Sequence, residues 1–593
     1  MKTKKFISAF LALAMVLSMP VCAYADVTQT VSAGFGEGQE QHITVNDNVS
    51  VINEVNAVFV EAHAPDAFED KNASAEVKGN VTAKSDSAFS AVYVEGRNGN
   101  AYAKITGNLV ATVISDANVN GVETWGRSYN GTGYAYVNID GDLTANSNAE
   151  TRGIRNDCGD VSVLGDLTAN GANAMGVDNS GECNIYIGKS IKATGTDDAC
   201  GAYFCLTEDD GKQFLTVEND VDATCTSDSV YSEADALRFY AYSGKTYVNV
   251  KGNVIAASDV GTASGLRFYS AGSSGYSFPD LSPAYFDVKV GDSIISDDYG
   301  IAKCNDAGSA DVFVENEIQA KKTAVLLRDD TSLYEQVTDG SAYSANQLNL
   351  TAWKLNVNER GNVAELITEN SSEATPARNF EKKINYIIKA QQPAEYGTIS
   401  FVDASGSPLK KVNNCFVANE GEKVVVKPNL TSGYRIAAAY NGVGEKFPLM
   451  QDESGNYYLI VPKGGGIIIS VDVEKAPETV PTVIPTTVPV KKKANPLKIK
   501  GRKVTLKLSK VAKKTQTVSV KKAIKFLKKG KGTVTYKKIK GNKKIIVNKK
   551  TGKITVKKGL KKGTYKVKVQ VTAKGNKNYK KGVKKTTVKI VIA

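Results

Sequence analysis

Val161-Ser-Val-Leu-Gly-Asp-Leu-Thr-Ala169 is one of nine phrases that recur, with drift, through the first 320 residues of this 593-residue chain. Three copies precede it: Ala75-Glu-Val-Lys-Gly-Asn-Val-Thr-Ala83, Ala103-Lys-Ile-Thr-Gly-Asn-Leu-Val-Ala111 and Val137-Asn-Ile-Asp-Gly-Asp-Leu-Thr-Ala145. Five follow, starting at Ile185, Leu215, Val248, Val288 and Val312. A second, weaker phrase lies between copies, as in Asn120-Gly-Val-Glu-Thr-Trp125, Arg152-Gly-Ile-Arg155, Met175-Gly-Val-Asp178, Ser264-Gly-Leu-Arg-Phe268 and Tyr299-Gly-Ile-Ala302. Each repeat therefore offers two short strands.

In Val-x-Val-x-Gly-Asp-Leu-x-Ala the apolar side chains alternate at period two, so each strand buries one face. The Gly-Asp or Gly-Asn step is expected to turn the chain, because Gly and Asn tolerate positive φ and Asp bonds nearby amides. One coil cannot bury its own apolar face, whereas stacked coils share a continuous core. The fold class predicted is all-β: an N-terminal parallel β-helix over residues 26–325, followed by two small β-sandwich modules. At about 4.8 Å per coil, nine coils would extend roughly 45 Å. The competing arrangement is an antiparallel two-sheet sandwich, which also has short alternating strands between turns. Identical wording in successive strands favours the solenoid, where like residues stack on like. The phrase resembles those of adhesin-like β-solenoid surface proteins of Gram-positive bacteria, over about residues 43–325. That resemblance implies an architecture, with binding specificity on projecting loops such as Ala271 to Pro283.

Residues 326–383 hold no copy of the phrase, and a solenoid needs its last open edge covered, so this stretch is the candidate cap or connector. From 384 to 475 the order Gly397-Thr-Ile, Gly421-Glu-Lys-Val-Val-Val-Lys-Pro428, Gly433-Tyr434 and Val461-Pro462 before a final strand resembles internalin B-type repeats. It departs from them in lacking a tryptophan after Gly433-Tyr434. The resemblance implies a spacer or interaction role. Residues 476–495 alternate Pro with Thr and Val, the composition of an extended, semi-rigid linker. In 496–593, the hairpin Ile545 to Val556 around Gly552 and the strand Gly563 to Val571 resemble bacterial Ig-like domains of surface proteins. Lysines alternate there with apolar residues, so one face of each strand packs inward and the other presents ammonium groups.

Charge divides the chain. The formal +13 is +38 from residues 491–593, which contain no Asp or Glu, and −25 from the rest. An acidic body with a basic foot should seek polyanions. The candidate polyanion-binding residues are Lys537, Lys538, Lys540, Lys543, Lys544, Lys549, Lys550, Lys557, Lys558, Lys561 and Lys562. Lysine as a compact point charge discriminates little among teichoic acids, anionic glycans and nucleic acids. A nucleic-acid reader would interleave aromatics and arginines, yet this module holds one Arg, Arg502.

Residues 1–25 read as a signal peptide: a basic start, an apolar stretch from Phe6 to Ala23, and Ala23-Tyr24-Ala25 as the cleavage signal. A lipoprotein reading of Cys22 fails on the residues before it. No later stretch is long and apolar enough for a membrane-spanning helix, and no sortase motif is present. A secreted, wall-associated protein without a transmembrane anchor is expected, its partners being anionic cell-wall polymers or glycans and a host or neighbouring-cell surface. The mature chain keeps seven cysteines, an odd count without a CxxC pair. Mostly buried thiols are expected, with a bridge such as Cys183 to Cys205 as an addition.

An enzymatic site has few candidates. His42 and His63 are the only histidines and lack metal or triad spacing. A polysaccharide lyase or hydrolase on the solenoid flank is the alternative function. It would draw on Asp140, Asp142, Asp166, Asp209, Asp210, Asp297, Asp298, Asp329 and Asp330, with Arg152, Arg155 or Arg267. The turn phrase itself accounts for the first three of these. A tight cluster of three or more carboxylates with an Arg or Lys in one groove would favour the enzyme, and a flank with scattered charge would favour the adhesin. No cofactor is expected; loops such as Thr196-Asp-Asp198 and Glu208-Asp-Asp210 would suit calcium, weakly. The expected function is a non-enzymatic adhesin-like or scaffold protein whose solenoid displays binding loops and whose lysine-rich module holds it to the wall.

Overall fold

The computed structural model describes residues 27–34, 42–62, 72–97, 99–126, 133–206, 211–241, 244–270, 284–304, 308–329, 348–368, 375–376, 382–442, 446–476, 493–576 and 579–593. The expected signal peptide, His63, the loops at 208–210 and 271–283, Asp330 and most of the linker lie outside them. The chain forms two compact units that divide after Pro477.

The first unit is a parallel β-helix, and each coil has three strands where two were expected. One coil runs Ala135–Ile139, Leu143–Asn146 and Glu150–Asn156. Each strand pairs in parallel with its counterparts in the coils before and after it. The first phrase bends at Gly-Asp and so supplies two strands, on the first and second faces; the second phrase supplies the third face. Partner spacing ranges from 24 to 40 residues because loops of different length join the same coils.

The Gly-Asp step works differently from the expectation. Side chains at this position bond the backbone amide of the next coil, not of their own. Asn48 Oδ1 accepts from Asn80 N, Asn80 from Asn108 N, Asn108 from Asp142 N and Asp142 from Asp166 N, each at 2.8 Å. The ladder continues through Asp166 to Ser190 N and Asp220 to Asn253 N. None of Gly79, Gly107, Gly141 or Gly165 has positive φ. Glycine is required there by close approach: a Cβ on Gly165 would overlap Asp142 Oδ1 and lie 2.6 Å from Gly141 O.

Inside, like stacks on like. Leu109, Leu143, Leu167, Ile191, Val221, Val254, Ile294 and Ile318 form one fully buried column. A third-face column changes character along its length. Thr124, Asn156 and Asn179 hydrogen-bond in series, then Phe204, Phe239 and Phe268 stack with centroids 5.5 and 4.6 Å apart. Lys303 follows, fully buried, its Nζ donating to Cys304 O at 3.0 Å.

The stretch expected as a cap carries coil strands instead. Leu348–Leu355 and Ala364–Thr368 extend the first and third faces in parallel. Lys382–Ala390 then pairs in parallel with Leu348–Leu355, antiparallel with Cys415–Ala418 and parallel with Ile467–Lys475. One strand thus belongs to both the last coil and the small module, so the module itself covers the solenoid's end. Trp353 Nε1 donates to Ile467 O at 2.9 Å and Gly466 N to Trp353 O at 2.9 Å. The strands read between 397 and 473 all form; Gly397–Val402, Lys423–Leu430, Tyr457–Ile460 and Met450–Gln451 make a separate antiparallel sheet.

The second unit is a lysine-coated sandwich. Lys503–Leu506, Gly582–Ile592, Gly563–Ala573 and Val534–Lys540 form one sheet; Gln516–Val518, Ile554–Val556 and Ile545–Val547 form another. The Ile545–Val547 and Ile554–Val556 hairpin is the one read in the sequence, with Gly552 at φ 67. Val567, Val569, Val571, Ile590, Ile545 and Ile554 are fully buried between the sheets. Two short helices, Leu508–Lys513 and Val520–Ala523, were not expected; they bury Val511 and Ala523. No helix of the described residues is long and apolar enough to cross a membrane.

Candidate functional site

Alternation places the lysines of the second unit outward. Lys537 and Lys540 stand on Val534–Lys540, Lys543, Lys544, Lys549 and Lys550 in the turns around Ile545–Val547, and Lys557, Lys558, Lys561 and Lys562 between Ile554–Val556 and Gly563–Ala573; all ten are exposed. Lys538 is half-buried, and its Nζ donates to Asn542 O and Ile545 O at 2.8 and 2.7 Å. Lys544 Nζ reaches Gly559 O at 3.3 Å. These two hold backbone, which leaves nine of the eleven to meet solvent. The described residues of the unit contain no ion pair, since none of them is Asp or Glu. Such a surface attracts polyanions through its field and imposes little geometry on them.

A second site lies on the outside of the third face. Arg152 Nε is 2.6 Å from Asp178 Oδ2 and its Nη2 2.6 Å from Glu150 Oε1. Arg238 Nε is 2.6 Å from Asp235 Oδ2, and Arg267 Nη1 is 2.6 Å from Glu233 Oε2 and 3.4 Å from Asp235. Further along the same face Arg155 meets Glu123 at 3.4 Å and lies over Trp125. Register makes this cluster, since Arg155 stacks on Asp178 and Arg238 on Arg267. Asp235 is fully buried, and its Oδ1 takes no hydrogen bond; neither does the buried Oδ1 of Asn120. Burial pushes the Asp178 carboxyl above its ordinary range, against the pull of Arg152. It also pushes the Cys200 thiol beside this cluster up to about 12.

Of the flank candidates, Arg152 and Arg155 stand in one group and Arg267 in a second group four coils along the same face, while the charged partners Glu150, Asp178, Glu233, Asp235 and Arg238 were not singled out in the sequence. The signal was present as spacing, because copies of the second phrase align residue for residue. The aspartates named in the sequence go elsewhere. Asp142 and Asp166 belong to the turn ladder and share Lys189 at 3.3 Å each. Asp297 pairs with Lys321, and Asp298 with Lys322 at 2.8 Å. Asp198, from one suggested calcium loop, accepts from Glu233 N at 2.7 Å. Among the described residues no group of three His, Cys, Asp or Glu side chains is placed to hold a metal ion. The seven described cysteines form no disulfide, so the suggested Cys183–Cys205 bridge is not made. Cys183 sits on the first face and Cys205 at the end of the third.

No protein-family model matches this chain, and no curated protein is significantly similar to it.

Proposed function

We propose that the chain is a secreted, adhesin-like cell-surface or scaffold protein, in which the lysine-rich unit holds the molecule on anionic wall polymers and the solenoid is the displayed part. The observation that carries this reading is the segregation of charge: 38 basic and no acidic residues from 491 to 593, on a sandwich whose outward positions are lysine. The resemblance of residues 384–475 and 496–593 to internalin B-type and Ig-like modules implies interaction rather than catalysis. The low arginine content weighs against nucleic acid. The test compares the mature protein with a version ending at Val490 on purified Gram-positive walls, with and without teichoic acid, across a salt series. Only the full-length protein should bind, and salt or teichoic acid removal should release it. Equal binding of both forms would overturn the reading.

One observation favours a second reading, a polysaccharide lyase or hydrolase on the flank. The third face carries Glu150 and Asp178 with Arg152, and farther along Glu233 and Asp235 with Arg238 and Arg267, and Asp178 is the carboxyl that burial inclines to keep a proton, as a general acid requires. Release of reducing or unsaturated sugar ends by the native protein, abolished in Asp178→Asn, would establish it. No release from a panel of neutral and acidic polysaccharides would remove it.

A further inference from the structure

We propose that the cleft between the outer first face of the last coils and the small module's hairpin is a binding site for a carboxylate-bearing sugar, of the hexuronic acid class, at the end of or within a short glycan. The proposal stands on this cleft alone and does not depend on the lysine-rich unit.

Its floor is made of two adjacent outward columns on four successive strands. Register stacks Asp287, Asp311, Asn349 and Lys383 in one column and Lys289, Phe313, Thr351 and Asn385 in the next. The roof is the hairpin of Lys411–Val412 and Cys415–Ala418, turned through Asn413 and Asn414 at φ 46 and 66. Two left-handed residues in a two-residue loop are the tight connection that matches strand twist. They fix Lys410 and Asn413 at the rim. Two adjoining cavities of about 320 and 580 Å³ open here, and Lys383, Asn385 and Lys410 line both. That volume lies in the range of small-molecule sites.

Unpaired donors decide the ligand, since the lining itself balances four carboxylates against four lysines. Each carboxylate in the lining is engaged by the protein. Asp311 accepts from Tyr285 Oη at 2.8 Å and Asn349 Nδ2 at 2.7 Å, and Asp287 lies 3.4 Å from Lys289. Asp403 accepts the amides of Ser405 and Ser407, and Glu422 accepts from Asn419. Lys383 and Lys410, both exposed, make no ion pair or side-chain hydrogen bond among the described residues. The cleft thus keeps two free ammonium groups after its acids are satisfied. In the same lining Asn385 is only 5% exposed. Its Nδ2 makes contacts of 3.5 and 3.4 Å alone, and its Oδ1 accepts nothing from the described residues. A carboxylate between the two lysines, hydroxyls on Asn385 and Asn413, and a ring face over Phe313 would satisfy these groups together. A bare inorganic anion would use the lysines and leave the amides.

The experiment is residue-resolved lysine acetylation of the full chain, read by mass spectrometry, with trigalacturonate, neutral galactotriose or inorganic phosphate present. Trigalacturonate at about ten times its half-saturating concentration should slow acetylation of Lys383 and Lys410 by about tenfold, since about a tenth of the sites then stay open. Lys561 of the other unit should change much less, and galactotriose should protect neither cleft lysine. In Asn385→Ala, half-maximal protection should need about tenfold more trigalacturonate. Equal slowing of Lys561, equal protection by phosphate, or no protection at Lys383 and Lys410 would each overturn the assignment.

Discussion

Asp142 shows how much one side chain of the repeat carries. It accepts from Asp166 N at 2.8 Å and Lys189 Nζ at 3.3 Å, and these contacts, the amide first, hold its carboxyl below the ordinary range. A carboxyl depressed in the folded state stabilises it above the unfolded value near pH 4, and that stability is lost as pH falls through the folded value. Because half the side chain is in water, Asp142→Ala should cost only about 1 kcal/mol at neutral pH and less in acid, read as the shift in urea midpoint. Gly165→Ala should cost more, about 1–3 kcal/mol, because its Cβ has no space between Asp142 and Gly141. The sequence displayed both residues as a fixed word, and φ was the wrong reason for the glycine. The right one lies in the next coil, which a single copy of the phrase does not contain. Thiols test burial at the same scale. Cys183 and Cys200, each pushed up to about 12 by burial, should resist alkylation in the native protein at pH 8 and react once it is unfolded. Between the ordinary thiol value of about 8.5 and about 12 the folded state keeps protons that the unfolded chain releases, so stability should fall as pH rises through that window. Rapid native alkylation at both positions would contradict their burial.

At the scale of elements, the strands of the solenoid were legible because period-two alternation and like-on-like stacking leave the same mark in every copy. The third strand of each coil was only half legible. Its phrase mixes inward glycine with outward Arg and Asp, and Gly153, whose Cβ would lie 2.7 Å from Leu167 Cδ2, stands where an apolar residue would advertise an inward position. The last coil was missed because Leu348–Leu355 has Trp353 and Lys354 where the phrase has Gly-Asp, so its pairing is visible only in register. The short helices were hidden by lysine spacing that fits strand and helix equally, and neither has a side-chain cap to mark its start. On the third face some ion pairs join neighbouring coils, as Arg152–Asp178 and Arg267–Glu233 do, and others, as Arg238–Asp235, lie within one strand. Arg238 is 12% exposed and Asp235 is fully buried. Removing Arg238 leaves the buried Asp235 with Arg267 alone, at 3.4 Å, and Arg238→Ala should cost about 2–3 kcal/mol. A thermal or urea shift under about 1 kcal/mol would mean that water reaches Asp235 and that this face is more open than its geometry indicates.

At the scale of the whole molecule, two units of opposite charge should answer salt in opposite ways. The first unit neutralises its arginines against carboxylates at close range, as Arg152 and Arg267 do, and ionic strength acts weakly on such half-buried pairs. The folded part of the second unit, residues 493–593, has no acid side chain with which to do so. Its ammonium groups repel one another over a screening length of about 30 Å at 0.01 M salt and about 8 Å at 0.15 M, so the sandwich should be least stable in dilute buffer. Both tryptophans, Trp125 and Trp353, lie in the first unit, so fluorescence follows that unit, while hydrogen exchange of Val567 to Val571 follows the second. Raising salt from about 0.01 to 0.15 M should move the urea midpoint of the exchange-monitored transition upward and leave the fluorescence transition nearly in place. The same rise in salt should weaken retention on anionic walls, so stability and binding of the lysine-rich unit should move in opposite directions. A polyanion would then stabilise the unit most where salt is lowest, since binding to the folded state adds to its stability. A midpoint that ignores salt would mean that the lysines are too far apart to repel, and a coat that dilute could not serve as an electrostatic anchor either.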